Sequence, residues 1–181
     1  MKILFISDIH GVTNNLSYIK ELDNKSHFDK IIVLGDLYYA GPTYNREFEI
    51  DSLKVKDFLM SYQDRIIGLK GNCDSDVDIK ATDFPICDNL ALIHTDDLDL
   101  YCTHGDTYSM SKNRKFVGKH GVLIYGHEHI PYIKQEDGMT YVCVGSISVP
   151  RIGKPTYAIY QDKVITIYTI DNEIVDKIKL D

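Results

Sequence analysis

The chain has 181 residues, 44% hydrophobic and 26% charged, with a formal net charge of −7. That length supports one sizeable core and is short for two, so a single domain over 1–181 is expected. The acidic balance excludes stable nucleic-acid binding through phosphate neutralisation, and no apolar stretch reaches membrane-spanning length.

In chain order, Lys2 to Ser7 reads as a strand, too short and too soon followed by Asp8 and His10 to be a signal peptide. A helix follows near Asn15 to Asp23, where Leu16, Ile19 and Leu22 recur on one face. Lys30 to Leu34 is a second strand. After Asp36 comes LYYAGPTYNREFEI, a long loop with a Gly-Pro breaker, of a length typical of binding loops. A helix capped by Asp51 or Ser52 is predicted to about Tyr62, burying Leu53, Phe58 and Leu59. Arg65 to Lys70 is a third strand, ending in GNCDS, and a short helical piece reaches Phe84-Pro85.

The second half reads as hairpins. LALIHTDDLDLYCTH forms two strands around an Asp-Asp turn, and Ile133 to Gln135 pairs with Met139 to Val144 around Asp137-Gly138. TYAIY and VITIYTI flank Asp162-Lys163, and EIVDKIKL is a last strand. Hairpins imply antiparallel pairs, whereas the early helical crossovers imply parallel ones, so the fold class is α/β with mixed sheets. Cys73, Cys87, Cys102 and Cys143 show neither C-x-x-C spacing nor disulfide density. Reduced thiols and a cytoplasmic location are expected, with Cys102 and Cys143 as small core hydrophobes.

Five apolar runs stop on metal-binding side chains: KILFISDIH, KIIVLGD, RIIGLKGN, LDLYCTH and VLIYGHEH. Asp8, His10, Asp36, Asn72, His104, His127 and His129 thus fall at C-terminal strand ends, where ligands of open α/β sheets bind. In an extended strand, residues two apart share a face, so Asp8 and His10 are expected to point at one ion; His127 and His129 share that spacing. GHEH lacks the helical H-E-x-x-H spacing of zincins. Oxygen and imidazole donors suit Mn²⁺, Fe²⁺ or Zn²⁺, with Mn²⁺ preferred.

The ordered set SDIHG, LGDLY, GNCDS, THGD and YGHEH resembles the calcineurin-like metallophosphoesterases. GNCDS followed by FPI, the Gly-Pro after the second motif, and GSISVPR are similar to the small bacterial YfcE-like phosphodiesterase branch. The resemblance implies a four-layer αββα sandwich and a binuclear centre of divalent cations, Mn²⁺ first, with Zn²⁺, Fe²⁺ or Ni²⁺ as alternatives. By the same resemblance Asp8, His10 and His129 hold one ion, Asn72, His104 and His127 the other, and Asp36 bridges them. Two such ions clamp the attacking and leaving oxygens of an in-line displacement, with a bridging hydroxide as nucleophile and a small phosphodiester as substrate.

The third motif of the superfamily usually reads G-N-H-D or G-N-H-E; here Cys73 replaces the histidine that protonates the leaving oxygen, with Asp74 as the acid that orients it. A thiol is the weaker proton donor, which biases the chemistry toward diesters with good leaving groups and against monoesters. Glu128 stands where Thr is common, and alternation turns it away from the ions. Asp106 replaces a frequent second histidine and reads as a solvated acid. Cys143-Val144-Gly145-Ser146 departs from N-P-G-S, removing any supporting role of that asparagine.

Tyr38, Tyr39 and Tyr44 are candidate pocket aromatics, Tyr39 foremost for substrate, against ordinary half-buried packing. Arg151 is a candidate for a phosphate oxygen, against a surface salt bridge. Lys112, Arg114 and Lys115 read as a solvated face, and His27, His94 and His120 as structural residues. The alternatives are a cyclic-nucleotide phosphodiesterase, a phosphomonoesterase, or a non-catalytic scaffold similar to the retromer subunit of this branch. Edge strands leave room for a homo-oligomer.

Overall fold

The computed structural model describes residues 1–41, 47–96, 98–112 and 121–180. Tyr44, Arg114, Lys115 and His120 lie outside them.

In chain order the elements are β1 (Lys2–Ile6), α1 (Leu16–Ser26), β2 (Lys30–Val33), α2 (Ser52–Met60), β3 (Ile66–Leu69), α3 (Asp76–Lys80), β4 (Ile86–Cys87), β5 (Ala91–His94), β6 (Asp99–Cys102), β7 (Gly121–Tyr125), β8 (Tyr132–Glu136), β9 (Met139–Cys143), β10 (Thr156–Gln161), β11 (Val164–Thr169) and β12 (Ile174–Lys179). They form a seven-stranded sheet, β12-β11-β10-β1-β2-β3-β4, and a five-stranded sheet, β5-β6-β7-β9-β8. Both are mixed. β1, β2 and β3 run parallel through their helical crossovers, while β1 and β10 are antiparallel. In the second sheet the β5–β6 and β8–β9 hairpins are antiparallel, but β6, β7 and β9 run parallel.

Strands buried on both faces read as unbroken apolar runs, and β1 shows why. Ile3 and Phe5 pack between the sheets with Ile32, Leu100, Ile124 and Val142. Leu4 and Ile6 face the other way, against Leu16, Ile19, Val55 and Leu59 of α1 and α2. Leu123, Tyr125, Met139, Tyr141 and Cys143 cover the outer face of the second sheet with Met110 from the β6–β7 connection. The outer helix layer of the expected αββα sandwich is not among the described residues, which omit 113–120 of this connection.

Asp51 caps α2 by accepting the Lys54 N–H at 3.0 Å. One expectation fails there: Leu53 is 75% exposed, and Val55 and Leu59 carry the buried stripe. At about 100° per residue Leu53 falls off the face that Val55 and Leu59 share, so the apolar count was right and the phase wrong.

Candidate metal centre

The C-terminal ends of β1, β2 and β3 meet those of β6 and β7 at one rim. Asp8 and His10 follow β1, Asp36 follows β2, Asn72 follows β3, His104 follows β6, and His127 and His129 follow β7. The convergence does not arise from strand alternation, because the strands have already ended. Asp8, His10, Asp36, His127 and His129 all have left-handed backbones, with φ between 53° and 63°. Backbone bonds keep the strand exits laced together: Asp8 N–H donates to Gly35 O at 3.1 Å, His10 N–H to Asp36 O at 2.9 Å and Gly11 N–H to Leu37 O at 3.0 Å. The approach is close enough that a Cβ on Gly71 would collide with the Asp36 carboxylate, and one on Gly126 with Ser7 and Asp8.

Three groups of donor atoms lie within 4.8 Å of one another: Asp8, His10 and His129; His10, Asp36 and Cys73; and Asp8, Asp36 and His104. Asp8, Asp36 and His104 are at most 2% exposed. The histidine rings are oriented by carbonyls. His10 Nδ1 lies 2.8 Å from Tyr39 O, His129 Nδ1 2.7 Å from Val149 O, and His104 Nδ1 2.7 Å from Leu34 O. A carbonyl only accepts, so each Nδ1 carries a hydrogen and each Nε2 is turned inward, able to bind a cation once it has given up its proton. The Nε2 atoms face one another and the oxygens of the cluster. His10 Nε2 is 3.4 Å from His129 Nε2, His129 Nε2 is 3.2 Å from Asp8 Oδ1, and His104 Nε2 is 3.1 Å from Asn72 Oδ1 and 3.5 Å from Asp36 Oδ2. Asp8 Oδ1 is buried with no hydrogen-bond partner. Carboxylate and amide oxygens converging with inward Nε2 atoms fit divalent cations, and carbonyl bonds to the outer imidazole nitrogen are the usual support of metal-binding histidines.

The carboxylates of the cluster draw positive charge onto the imidazoles around them. Burial would raise the Asp36 carboxyl, but the hydrogen bond and charge of His104 hold it well below the usual carboxylate range. Burial would depress the His104 imidazolium; the Asp36 hydrogen bond and the Asp8 and Asp36 charges outweigh this and lift it to about 9. His129 is raised too: burial is outweighed by the close approach and charge of the Asp8 carboxylate. His127 is lowered by burial and by the charge of His104, its ring edge-on to that of His104 with centroids 5.1 Å apart. The His127 ring is outside the three close groups; the His127 backbone N–H donates to Asp8 Oδ2 at 2.9 Å.

Cys73 and Asp74 part company. The Cys73 thiol sits beside the cluster, where burial and the Asp36 charge push it up to about 12, so it is a neutral thiol rather than a nucleophilic thiolate. Asn72 Nδ2 donates to its sulfur at 3.3 Å. Asp74 does not orient that thiol. Its buried carboxylate accepts the N–H groups of Asp36 at 2.9 Å, Leu37 at 2.7 Å and Gly71 at 2.8 Å, so it fixes the loops that carry Asp36 and Asn72. Burial raises its carboxyl despite those three donors.

The remaining expected residues lie around the rim. Tyr39 is 55% exposed and contributes its carbonyl to His10. Tyr38 is buried, its hydroxyl 2.8 Å from Thr82 Oγ1, and belongs to the core. Arg151 is exposed, its N–H donating to His129 O at 3.0 Å. Glu128 Oε2 accepts the Tyr132 hydroxyl at 3.1 Å.

Sequence reasoning missed Ser146. Fully buried, it donates to Asp8 O at 2.8 Å and accepts the N–H groups of Ser148 at 3.1 Å and Val149 at 2.8 Å. It therefore ties the Asp8 turn to the segment whose Val149 carbonyl orients His129. The departure from N-P-G-S leaves this function intact, and the retained Gly-Ser was the available signal.

Two mixed sheets whose aligned strand ends gather buried Asp and His acceptors define the architecture of a metal-dependent hydrolase of the phosphoesterase type. Residues 1–163 match the calcineurin-like phosphoesterase superfamily domain, and the chain belongs to that family. It is 29% identical over 176 residues to the phosphodiesterase YfcE of Escherichia coli K12, covering 97% of this chain and 95% of that one. It is 26% identical over 166 residues to the phosphodiesterase MJ0936 of Methanocaldococcus jannaschii, covering 84% and 91%. The solved structure of YfcE, a phosphoesterase from E. coli, superposes with a TM-score of 0.93 at 28% identity over the whole of both chains. Vps29 of Entamoeba histolytica, complexed with Zn²⁺, shares the fold with a TM-score of 0.65 at 16% identity, over 98% of each chain. The superfamily uses divalent metals, and the Asp and His cluster described here is a candidate site for them.

Proposed function

We propose that this chain hydrolyses a small phosphodiester with two divalent cations, Mn²⁺ foremost. Asp8, His10 and His129 would hold one cation, Asn72, His104 and His127 the other, and Asp36 both. The observation that carries this reading is the set of inward Nε2 atoms facing one another and carboxylate and amide oxygens across 3.1 to 3.5 Å, with Asp8 Oδ1 lacking a hydrogen-bond partner among them. When bound, such cations polarise phosphoryl oxygens and acidify water.

The chain's own residues set the rest. The carbonyls of Leu34, Tyr39 and Val149 fix three imidazoles in one tautomer, so no reorganisation is needed when ligands bind. Asp74 and Ser146 hold the turns. Cys73 stands where the superfamily places its proton-donating histidine, and a thiol neutral up to about 12 gives little help to a poor leaving group. Diesters with acidic leaving groups are therefore the preferred substrates. The phosphodiesterases YfcE and MJ0936, similar along most of the chain, support that choice.

Metal analysis of purified protein, combined with Mn²⁺-stimulated hydrolysis of bis(p-nitrophenyl) phosphate and p-nitrophenyl phosphate, tests the reading. The diester is expected to react faster, and Cys73→His to raise the monoester rate relative to the diester. Equal monoester and diester rates in the unaltered protein refute the role given to Cys73. No metal uptake refutes the centre.

A further inference from the structure

Beside the centre, on the second-sheet side, opens a groove of ≈ 530 Å³ with His127 in its wall. It is lined by Lys112, Lys134 and Arg151 against one carboxylate, Glu128, among the described residues. In a chain with 27 acidic and 20 basic side chains, this local excess of cations runs against the overall balance. Some cations elsewhere are paired, as Lys54 is with Glu49 at 2.9 Å, Arg65 with Asp23 at 2.6 Å, and Lys154 with Asp171 at 2.7 Å. Among the described residues no carboxylate forms an ion pair with the three groove cations.

The wall is also organised. The Lys134 ammonium lies 4.8 Å from the centre of the Tyr132 ring. The Tyr132 hydroxyl is 2.6 Å from that of Tyr125 and donates to Glu128, which turns the one acid toward a partner of its own. The Lys112 ammonium donates to the Asp106 carbonyl.

We propose that this groove selects phosphodiesters bearing a second phosphate group on the substituent beside the scissile phosphorus, with Lys112, Lys134 and Arg151 as the specificity-determining cations. A single carboxylate would balance only one of the three. A terminal phosphate brings up to two charges and three acceptor oxygens, matching a planar guanidinium fork and two ammonium groups. The inference rests on the phosphodiesterase reading for its reaction, but the groove's anion preference is measurable without turnover.

Calorimetric titration of Mn²⁺-loaded protein with thymidine 5′-phosphate and with thymidine 3′,5′-bisphosphate reads that preference. The bisphosphate is expected to bind about tenfold tighter at low salt, with the advantage shrinking as KCl is raised. Lys134→Gln and Arg151→Gln should each cut the bisphosphate advantage by about threefold, and the double variant should abolish it. Lys20→Gln, on the exposed side of α1, should leave it unchanged. The p-nitrophenyl ester of thymidine 5′-phosphate, with and without a 3′-phosphate, reads the same preference as a KM ratio. Equal affinity for the two nucleotides overturns the groove whatever the turnover, as does turnover of both esters with equal KM. A bisphosphate preference that disappears in the double variant, without hydrolysis of either ester, supports the groove and overturns the phosphodiesterase reading.

Discussion

Replacing Ser146 with alanine removes one oxygen that makes three hydrogen bonds at a site of zero exposure. The Asp8 carbonyl and the N–H groups of Ser148 and Val149 lose their partner together. A buried group left unsatisfied costs about 1–3 kcal/mol, and partial relaxation keeps three neighbours from adding in full, so about 3 kcal/mol is expected. In a domain of this size that corresponds to a fall in Tm of about 6–12 °C. The chain has no tryptophan, so urea titrations followed by far-ultraviolet circular dichroism are the suitable assay. Because the same oxygen holds the Asp8 turn and the Val149 segment behind His129, Mn²⁺ affinity should also fall about 10- to 100-fold, as for other groups supporting metal ligands. A stability loss below about 0.5 kcal/mol with unchanged Mn²⁺ affinity would refute the argument that this hydroxyl couples the two turns.

Asp74→Asn offers at most one accepting oxygen to three backbone N–H groups and should destabilise by about 2–3 kcal/mol, read by the same urea titration. Gly126→Ala drives a methyl into Ser7 and Asp8; reduced Mn²⁺ uptake together with a loss of at least about 2 kcal/mol is expected, and near-normal behaviour would show that the turn is less tightly packed. Asp23 concerns pH. Burial opposes its ionisation, but the two-pronged Arg65 contact at 2.8 and 2.6 Å wins and holds its pKa below 3.8. A depressed acid stabilises the fold above its unfolded pKa and loses that contribution as pH falls through the folded value. The stability advantage over Asp23→Asn should therefore be full at pH 6 and shrink below 3.8; an advantage independent of pH would show that the charge is not the cause.

Much of the frame was legible because it rests on short-range patterns. Double-sided burial makes β1, β2 and β7 continuous apolar runs, and the turns Asp137-Gly138 and Asp162-Lys163 announce hairpins. The residues that gather at the rim were legible as well, since each ends such a run. The reason for their convergence was not. Alternation along an extended strand was the natural expectation for D-x-H and H-x-H, whereas Asp8, His10, His127 and His129 reach inward through left-handed turns held by tertiary hydrogen bonds. The carbonyls of Leu34, Tyr39 and Val149 were invisible for a simpler reason: every residue has one, so the acceptor leaves no mark on the sequence. Asp74 and Leu53 failed for want of long-range information. What a carboxylate faces, and which side of a helix is covered, depend on residues far along the chain.

The left-handed turns carry a further consequence, for which elements of the periodic table the protein can accept. Among the described residues ten non-glycine positions have positive φ, and nine of them are Asp, His or Asn, the side chains that tolerate this backbone best. A loop bent in that way has little room for glutamate or cysteine at the same positions. Its palette is thereby narrowed to carboxylate, imidazole and amide, donors of hard to intermediate character. Five of the seven candidate ligand positions are in this sense written into φ angles of the polypeptide, while the Cys73 thiol reaches the cluster from outside those turns.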